Sequence, residues 1–357
     1  MKESINRRQF VAAGAATVGS VAVLGALGCS SGSDEETETD SEVEAPDTLV
    51  FAWEPGASEG EYENMRDLIA EAIAEGSGVE CETMTTTDYN VCIEAVNSGE
   101  AHYASLGAKE YVELHAKNEA CQVAWVLSDE NGELNQVSYH SQILVLEDNA
   151  SEYASGDSYE LTQELMEGKN MSYVDLSSTS GYVIPTYSLA AEFGIEDPDD
   201  LGESGVFFDT VLFGDSHVGA LYNVLCGDAD FACCDDTGLA NNYTVIEGEN
   251  GELGTLYAVK DGLDAPLDEY AGVQFRCVMS NPVPAVPFVV NTDYVPDEMN
   301  QNVIDYMCSE AVSGNPELFK DPDDEDTVTK WEQTGKDTFI PCDDSYYDDF
   351  REMIGMA

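Results

Sequence analysis

From residue 47 to residue 127 the chain alternates between strand-like and helix-like segments without a break. DTLVFAW (47–53) reads as a strand, and Glu61–Ala74 carries Met65, Leu68, Ile69, Ala72 and Ile73 at helical spacing. VECETMTT (79–86) alternates like a strand, and Asp88 fits the N-cap of a helix Tyr89–Asn97 that Ser98–Gly99 closes. The strand AHYASLG (101–107), the helix Ala108–Lys117 and the strand CQVAWVL (121–127) follow. Each strand returns to the sheet through a helix, so the segment predicts an α/β lobe with a largely parallel sheet.

SYHSQILVL (138–146) reads as a long apolar strand crossing to a second lobe, and PVPAVPFVV (282–290) as the return. Between them lie a strand Met171–Leu176, a helix-like stretch Val183–Phe193, a strand Gly205–Phe208, a helix His217–Cys226 and a strand Ala229–Cys234. Helices over Asp297–Ser313 and Ser345–Met353 complete the first lobe. The body of roughly 310 residues is longer than one core usually serves, which also argues for two lobes. The expected architecture is α/β, with residues 48–142 plus 288–357 in lobe 1 and 143–287 in lobe 2. Two crossovers frame an interlobe cleft, and ligands in such folds sit beyond strand C-termini near helix N-termini.

The N-terminus reads as targeting and stands apart from the fold. Arg7 and Arg8 precede Gln9 and Phe10, as in a twin-arginine export signal, and the apolar run Val11–Leu27 is short and rich in Ala and Gly. It suits a signal segment better than a membrane span. ALGC (26–29) resembles a bacterial lipobox, so residues 1–29 are expected to be a lipoprotein signal with Cys29 as the lipidated residue. An uncleaved anchor is the alternative; either way the body lies outside the cytoplasmic membrane. Residues 30–47 are acidic and lack apolar periodicity, and are expected to form a disordered tether.

Charge narrows the partners. The chain has 72 acidic and 13 basic residues, a formal charge of −59. Nucleic acid and anionic lipid surfaces are therefore excluded as partners. Salt tolerance or the general composition of the source organism would each account for the excess. Beyond Cys29, the cysteines Cys81, Cys92, Cys121, Cys226, Cys233, Cys234, Cys277, Cys308 and Cys342 are odd in number and irregular in spacing, so no disulfide scaffold is indicated. Cys233–Cys234 before Asp235–Asp236 lacks a further ligand at metal spacing, and no metal or cofactor is expected.

The acidity makes SSTSGY (177–182) the most informative stretch. It joins a strand to a helix. The N–H groups of a first helical turn lack intrahelical partners and carry partial positive charge. Ser178, Thr179 and Ser180 add hydroxyls, Gly181 permits close approach to the backbone, and Pro185 falls early in the helix. Such a turn can hold an anion without Lys or Arg, while distant acids are screened over about 8 Å at physiological salt. An ordinary Ser/Thr helix cap is the other reading of the turn taken alone.

Four segments together extend this reading: TDYNVCIEAVNSGEAHYASLG (87–107), SYHSQILV (138–145), VDLSSTSGYVIPTYSL (174–189) and GDSHVGALYNVLCGDADFACCDD (214–236). In order and spacing the chain resembles the PhnD-like family, the periplasmic binding components of phosphate, phosphite and phosphonate ABC transporters. The resemblance covers almost the whole body. It implies a type II periplasmic binding protein fold and a function without catalysis: binding a phosphorus oxyanion in the cleft and delivering it to an ABC permease and its ATPase, as a monomer. It implies that His217 and Tyr89 face the anion, with Tyr139 lining the cleft; packing or capping His and core Tyr are the alternatives. Leu106 stands where the family often has Tyr. Members that take 2-aminoethylphosphonate carry acids at positions that fall here on Thr237 and Val286. Asp235 and Asp236 lie close enough for a shifted arrangement, but the pocket reads as suited to a compact anion.

Other functions remain distinguishable. The same fold can instead hold an organic sulfonate or a metal-bound anion, or serve a signalling partner. A hydrolase would need His217 beside Cys226, Cys233 or Cys234; the first lies nine residues along the same helix, and H-E-x-x-H does not occur.

Overall fold

A computed structural model describes residues 43–55, 63–128, 133–134, 139–237, 242–320, 331–332 and 338–356. The export motif, Cys29 and most of the tether lie outside the described residues. So does Ser138 at the start of the expected crossing.

The strands form two large sheets. The first has six strands in the order Phe339–Pro341, Cys121–Leu127, Phe288–Asn291, Tyr103–Ser105, Thr48–Trp53 and Glu80–Thr85. Only the last three strands in that order are mutually parallel neighbours; Phe288–Asn291 runs antiparallel to both its neighbours, and Phe339–Pro341 is antiparallel to Cys121–Leu127. The sheet is therefore mixed rather than largely parallel. The difference arises where the chain returns to it after the second sheet: Phe288–Asn291 inserts between strands laid down earlier.

The seven-stranded second sheet has the order Tyr243–Glu247, Leu256–Val259, Gln274–Val283, Tyr139–Leu146, Phe231–Asp235, Asn170–Tyr173 and Thr210–Phe213. Tyr139–Leu146 is its central strand, antiparallel to both neighbours, with Ser141–Val145 buried. The expected strand Gly205–Phe208 is a turn instead, with Gly205 at φ 79° and Phe207 and Phe208 turned into the core. The neighbouring Thr210–Phe213 takes the ladder place beside Asn170–Tyr173.

Core formation follows the apolar pattern. Leu49, Phe51, Trp125, Phe288 and Phe339 meet on one face of the first sheet, with the Trp125 and Phe288 rings stacked at 5.3 Å. Helix Glu63–Ser77 brings Met65, Ile69 and Ile73 onto them beside Val303 and Met307 of helix Asp297–Met307. Burying each such side chain contributes about 1.5–3 kcal/mol. The expected single helix 297–313 is two, broken at Cys308–Ser309. Among the described residues no helix is long and apolar enough to cross a membrane.

Candidate functional site

The SSTSGY turn is built by local hydrogen bonding. The Ser178 side chain caps the following turn, accepting from the Gly181 N–H at 3.2 Å. Thr179–Val183 is wound wider than an α-helix, with Val183 N donating to Ser178 O at 3.1 Å, before the α-helix Ile184–Phe193 begins. Such widened turns concentrate at functional sites. The N–H groups of Thr179 and Ser180 come first in the helix and have no acceptor within it. Gly181 has a packing reason: a Cβ there would collide with the Val174 side chain.

Other segments converge on this turn. Helix Tyr89–Ser98 is capped by Asp88, whose Oδ1 accepts from Asn90 N at 2.8 Å, and Gly99 ends it at φ 79°. The cap fixes Tyr89, which is buried beside the Ser178 side chain. Tyr139 opens the central strand of the second sheet and lies beside the Ser180 side chain. Ser141 Oγ donates to Ser180 O at 2.6 Å. The loop 214–216 is fastened through Gly214 N to Tyr173 O at 2.8 Å and Asp215 N to Val174 O at 3.0 Å. It delivers the Ser216 cap and helix His217–Leu225.

At His217 the ring is oriented by the backbone. Asp235 N donates to Nδ1 at 3.1 Å, so the proton of a neutral ring sits on Nε2, 3.5 Å from Asp235 Oδ2. Thr237 Oγ1 donates to the same carboxylate oxygen at 3.4 Å. Asp236 points the other way: Oδ1 accepts from His140 N at 2.9 Å and Oδ2 lies 3.0 Å from His140 Nδ1. Of the two adjacent acids, only Asp235 belongs with the turn.

Two acids that the sequence reading passed over stand in the same place. Glu54 follows the first strand, and its Oε1 accepts from Gly107 N at 3.1 Å. Glu110 lies in the first turn of helix Ala108–Lys117, and its Oε2 accepts from the Thr179 hydroxyl at 3.2 Å. Thr179 Oγ1 in turn accepts from Lys109 N at 2.9 Å. Both acids follow strand C-termini, the positions that face a cleft in such folds; that was the signal available in the sequence. Burial drives the Tyr89 and Tyr139 phenols well above their usual range, and the charges of Glu54, Glu110 and Asp235 push both the same way. The two phenols therefore remain protonated hydrogen-bond donors, surrounded by three carboxyl groups.

The arrangement offers hydroxyl, phenol, imidazole and helix N–H donors, all suited to oxygen atoms of a small anion. It offers no nucleophile. Burial pushes the Cys233 and Cys234 thiols well up, and Cys234 Sγ contacts the His217 carbonyl at 3.5 Å rather than its ring. Cys226 caps the far end of the His217 helix. The nine body cysteines are free thiols, and no metal-binding group of His, Cys, Asp and Glu occurs among the described residues.

Known proteins share this chain's sequence and fold. The family model for the periplasmic substrate-binding protein of phosphonate ABC transporters matches residues 51–347. The phosphate-import protein PhnD of Mycolicibacterium smegmatis is 25% identical over 245 residues, covering 68% of this chain and 71% of that protein. Among solved structures, the chain is similar to the binding-protein component of an ABC phosphonate transporter from Pseudomonas aeruginosa, with a TM-score of 0.58 and 17% identity over 86% of this chain and 85% of that one. It is also similar to a PhnD protein from Prochlorococcus marinus in complex with methylphosphonate, with a TM-score of 0.60 and 12% identity over 87% of this chain and 99% of that one. These structural likenesses fix the fold as that of type II periplasmic binding proteins. With nearly the whole body matched, the chain belongs to the family of extracytoplasmic substrate-binding proteins of phosphonate ABC transporters, which carry solutes and are not enzymes.

Proposed function

We propose that this protein is a lipid-anchored receptor that binds one compact phosphorus oxyanion (phosphate, phosphite or methylphosphonate) at the SSTSGY turn and presents it to an ABC permease with its ATPase. What supports the reading is a helix start whose Ser178, Thr179 and Ser180 are buried, with Tyr89 and Tyr139 beside it and both phenols within reach of the charge of Asp235, on whose backbone N–H the His217 ring rests. Phosphate import by one relative and a methylphosphonate complex of another agree with this ligand class. The anion accepts from the Thr179 and Ser180 N–H groups, the serine hydroxyls and the two phenols, with His217 Nε2 as a further donor. Asp235 orients His217.

Lobe 1 is taken as residues 48–142 plus 288–357 and lobe 2 as 143–287, closing on the ligand as a monomer through hinge motion at the connections between the sheets. Cys29 carries the lipid after export by the twin-arginine motif, and residues 30–47 tether the body to the outer face of the membrane. No chemistry is done on the ligand.

Calorimetric titration of the soluble body, starting near Glu44, with phosphate, phosphite, methylphosphonate, 2-aminoethylphosphonate and sulfate tests the ligand class. Tight binding of one compact phosphorus oxyanion is expected. Binding confined to sulfate or a sulfonate would overturn it. Radiolabelled palmitate incorporation, lost in Cys29→Ala, tests the anchor.

A further inference from the structure

Glu110 is 1% exposed. One carboxyl oxygen, Oε2, accepts from Thr179, while Oε1 is buried with no hydrogen-bond partner among the described residues. Gly107 makes room for this carboxyl: a Cβ there would collide with Oε2 and lie 2.7 Å from Thr179 Oγ1. Lys109 and Glu113 face the carboxyl from its own helix and Thr179 from the widened turn, and the phenols of Tyr89 and Tyr139 feel its charge together with those of Glu54 and Asp235. The nearby cation, Lys109, is held by Glu113 at 3.0 Å.

A buried carboxyl oxygen without a donor is costly when ionised. Bringing an anion onto the adjacent turn makes it costlier, because two anionic oxygens at contact distance do not both stay ionised. A proton between them resolves both problems. We propose that Glu110 is a specificity-determining residue of the anion site, sharing one proton between its Oε1 and an oxygen of the bound anion. The ligand class this selects is a tetrahedral oxyanion basic enough to share a proton, which phosphate, phosphite and alkylphosphonates are and sulfate is not. This rests on the anion-binding reading above. Burial pushes the Glu110 carboxyl up to about 8, against the lowering effects of its backbone hydrogen bond, Lys109 and Thr179, which agrees with a proton held there.

The proton is countable. Near pH 9, where Glu110 is mostly ionised and phosphate is a dianion, the bound state must gain a proton that neither partner carries. The dependence of binding enthalpy on the ionisation enthalpy of the buffer gives the number taken up. The wild type is expected to take up close to one proton per phosphate, and its affinity to fall about tenfold for each further pH unit. Glu110→Gln keeps an acceptor for Thr179 and places a permanent N–H donor at the Oε1 position. It is expected to bind with no proton uptake and a flat pH profile over the same range. Zero uptake by the wild type, or equal uptake in the two proteins, would overturn the inference while leaving anion binding intact. Failure of the wild type to bind any phosphorus oxyanion would overturn the underlying reading, and this one with it. Because the wild-type count stands alone, the test does not depend on how well the variant folds.

Discussion

The Thr179 hydroxyl donates to Glu110 Oε2 across 3.2 Å, joining the turn beside the second sheet to a helix that packs on the first. Thr179 is 3% exposed and Glu110 1%, so the bond is made out of reach of bulk water. Thr179→Val removes the donor at nearly constant volume and leaves the carboxyl without either partner. Loss of a buried bond of this kind costs about 1–3 kcal/mol. The expected result is a lower urea midpoint at unchanged m-value, together with a further rise of the Glu110 pKa, which carboxyl-labelled NMR would follow.

The placement of Tyr89 depends on the Asp88 cap, whose carboxylate accepts from Asn90 N at 2.8 Å and Val91 N at 3.4 Å. Asp88→Ala is expected to destabilise the body by about 1 kcal/mol. It is also expected to weaken anion binding, since the Tyr89 phenol then loses its fixed position; Asp88→Asn, which retains a capping oxygen, should restore most of both. Urea unfolding and calorimetry on the same samples distinguish the two effects.

Gly181 is required by Val174, whose side chain occupies the place of the missing Cβ. Gly181→Ala should cost about 1–3 kcal/mol through overpacking. Val174→Ala in the same chain removes the colliding Cγ2 methyl and leaves only Cβ against the added atom. The double variant is therefore expected to lose less stability than the sum of the two single losses, a coupling that a double-mutant cycle reads directly.

His140 and Asp236 set a pH dependence of stability. The hydrogen bond that the His140 ring donates to Asp236 raises the His140 pKa above its ordinary 6.5, against burial that lowers it, with the charges of Asp236 and Glu252 adding to the rise. The Asp236 carboxyl is itself raised, chiefly by burial, so the pair's stabilisation is partly offset by the cost of holding that charge. For His140, a folded pKa above the unfolded value means a contribution present in full below about 6.5 and lost as pH rises through the folded value. Urea midpoints are expected to fall between about pH 6 and pH 8 in the wild type, and by less in His140→Asn.

How far the sequence could be read varied with the kind of signal. Segments where local pattern and burial agree were legible: Thr48–Trp53, the Asp88-capped helix, Ala108–Lys117, Cys121–Leu127 and His217–Leu225 lie where periodicity and caps put them. Long-range pairing was not. Tyr243–Glu247 is exposed along four of its five residues and shows no alternation, so its place at the sheet edge is set by Leu256–Val259 beside it. The two phenylalanines that made Gly205–Phe208 look like a strand are buried by a turn, with Phe207 and Phe208 edge to face at 4.8 Å. At the candidate site, the serine-rich turn stood out by its hydroxyls and glycine, Tyr89 and His217 through the family resemblance, Tyr139 through its place on the crossing strand, and Asp235 through its position beside Thr237. Glu54 and Glu110 did not, since an acid in so acidic a chain is unremarked until folding buries it beside Thr179.

The central claim is that the SSTSGY turn holds the anion. Its most direct test is the affinity of the best-bound phosphorus oxyanion for the wild type and for Ser178→Ala/Ser180→Ala, measured by calorimetry on folded protein. Each charge-assisted bond contributes about 1.5–3 kcal/mol, so losing two predicts a weakening of at least about a hundredfold. An unchanged dissociation constant in the double variant would contradict the account and move the ligand elsewhere in the molecule.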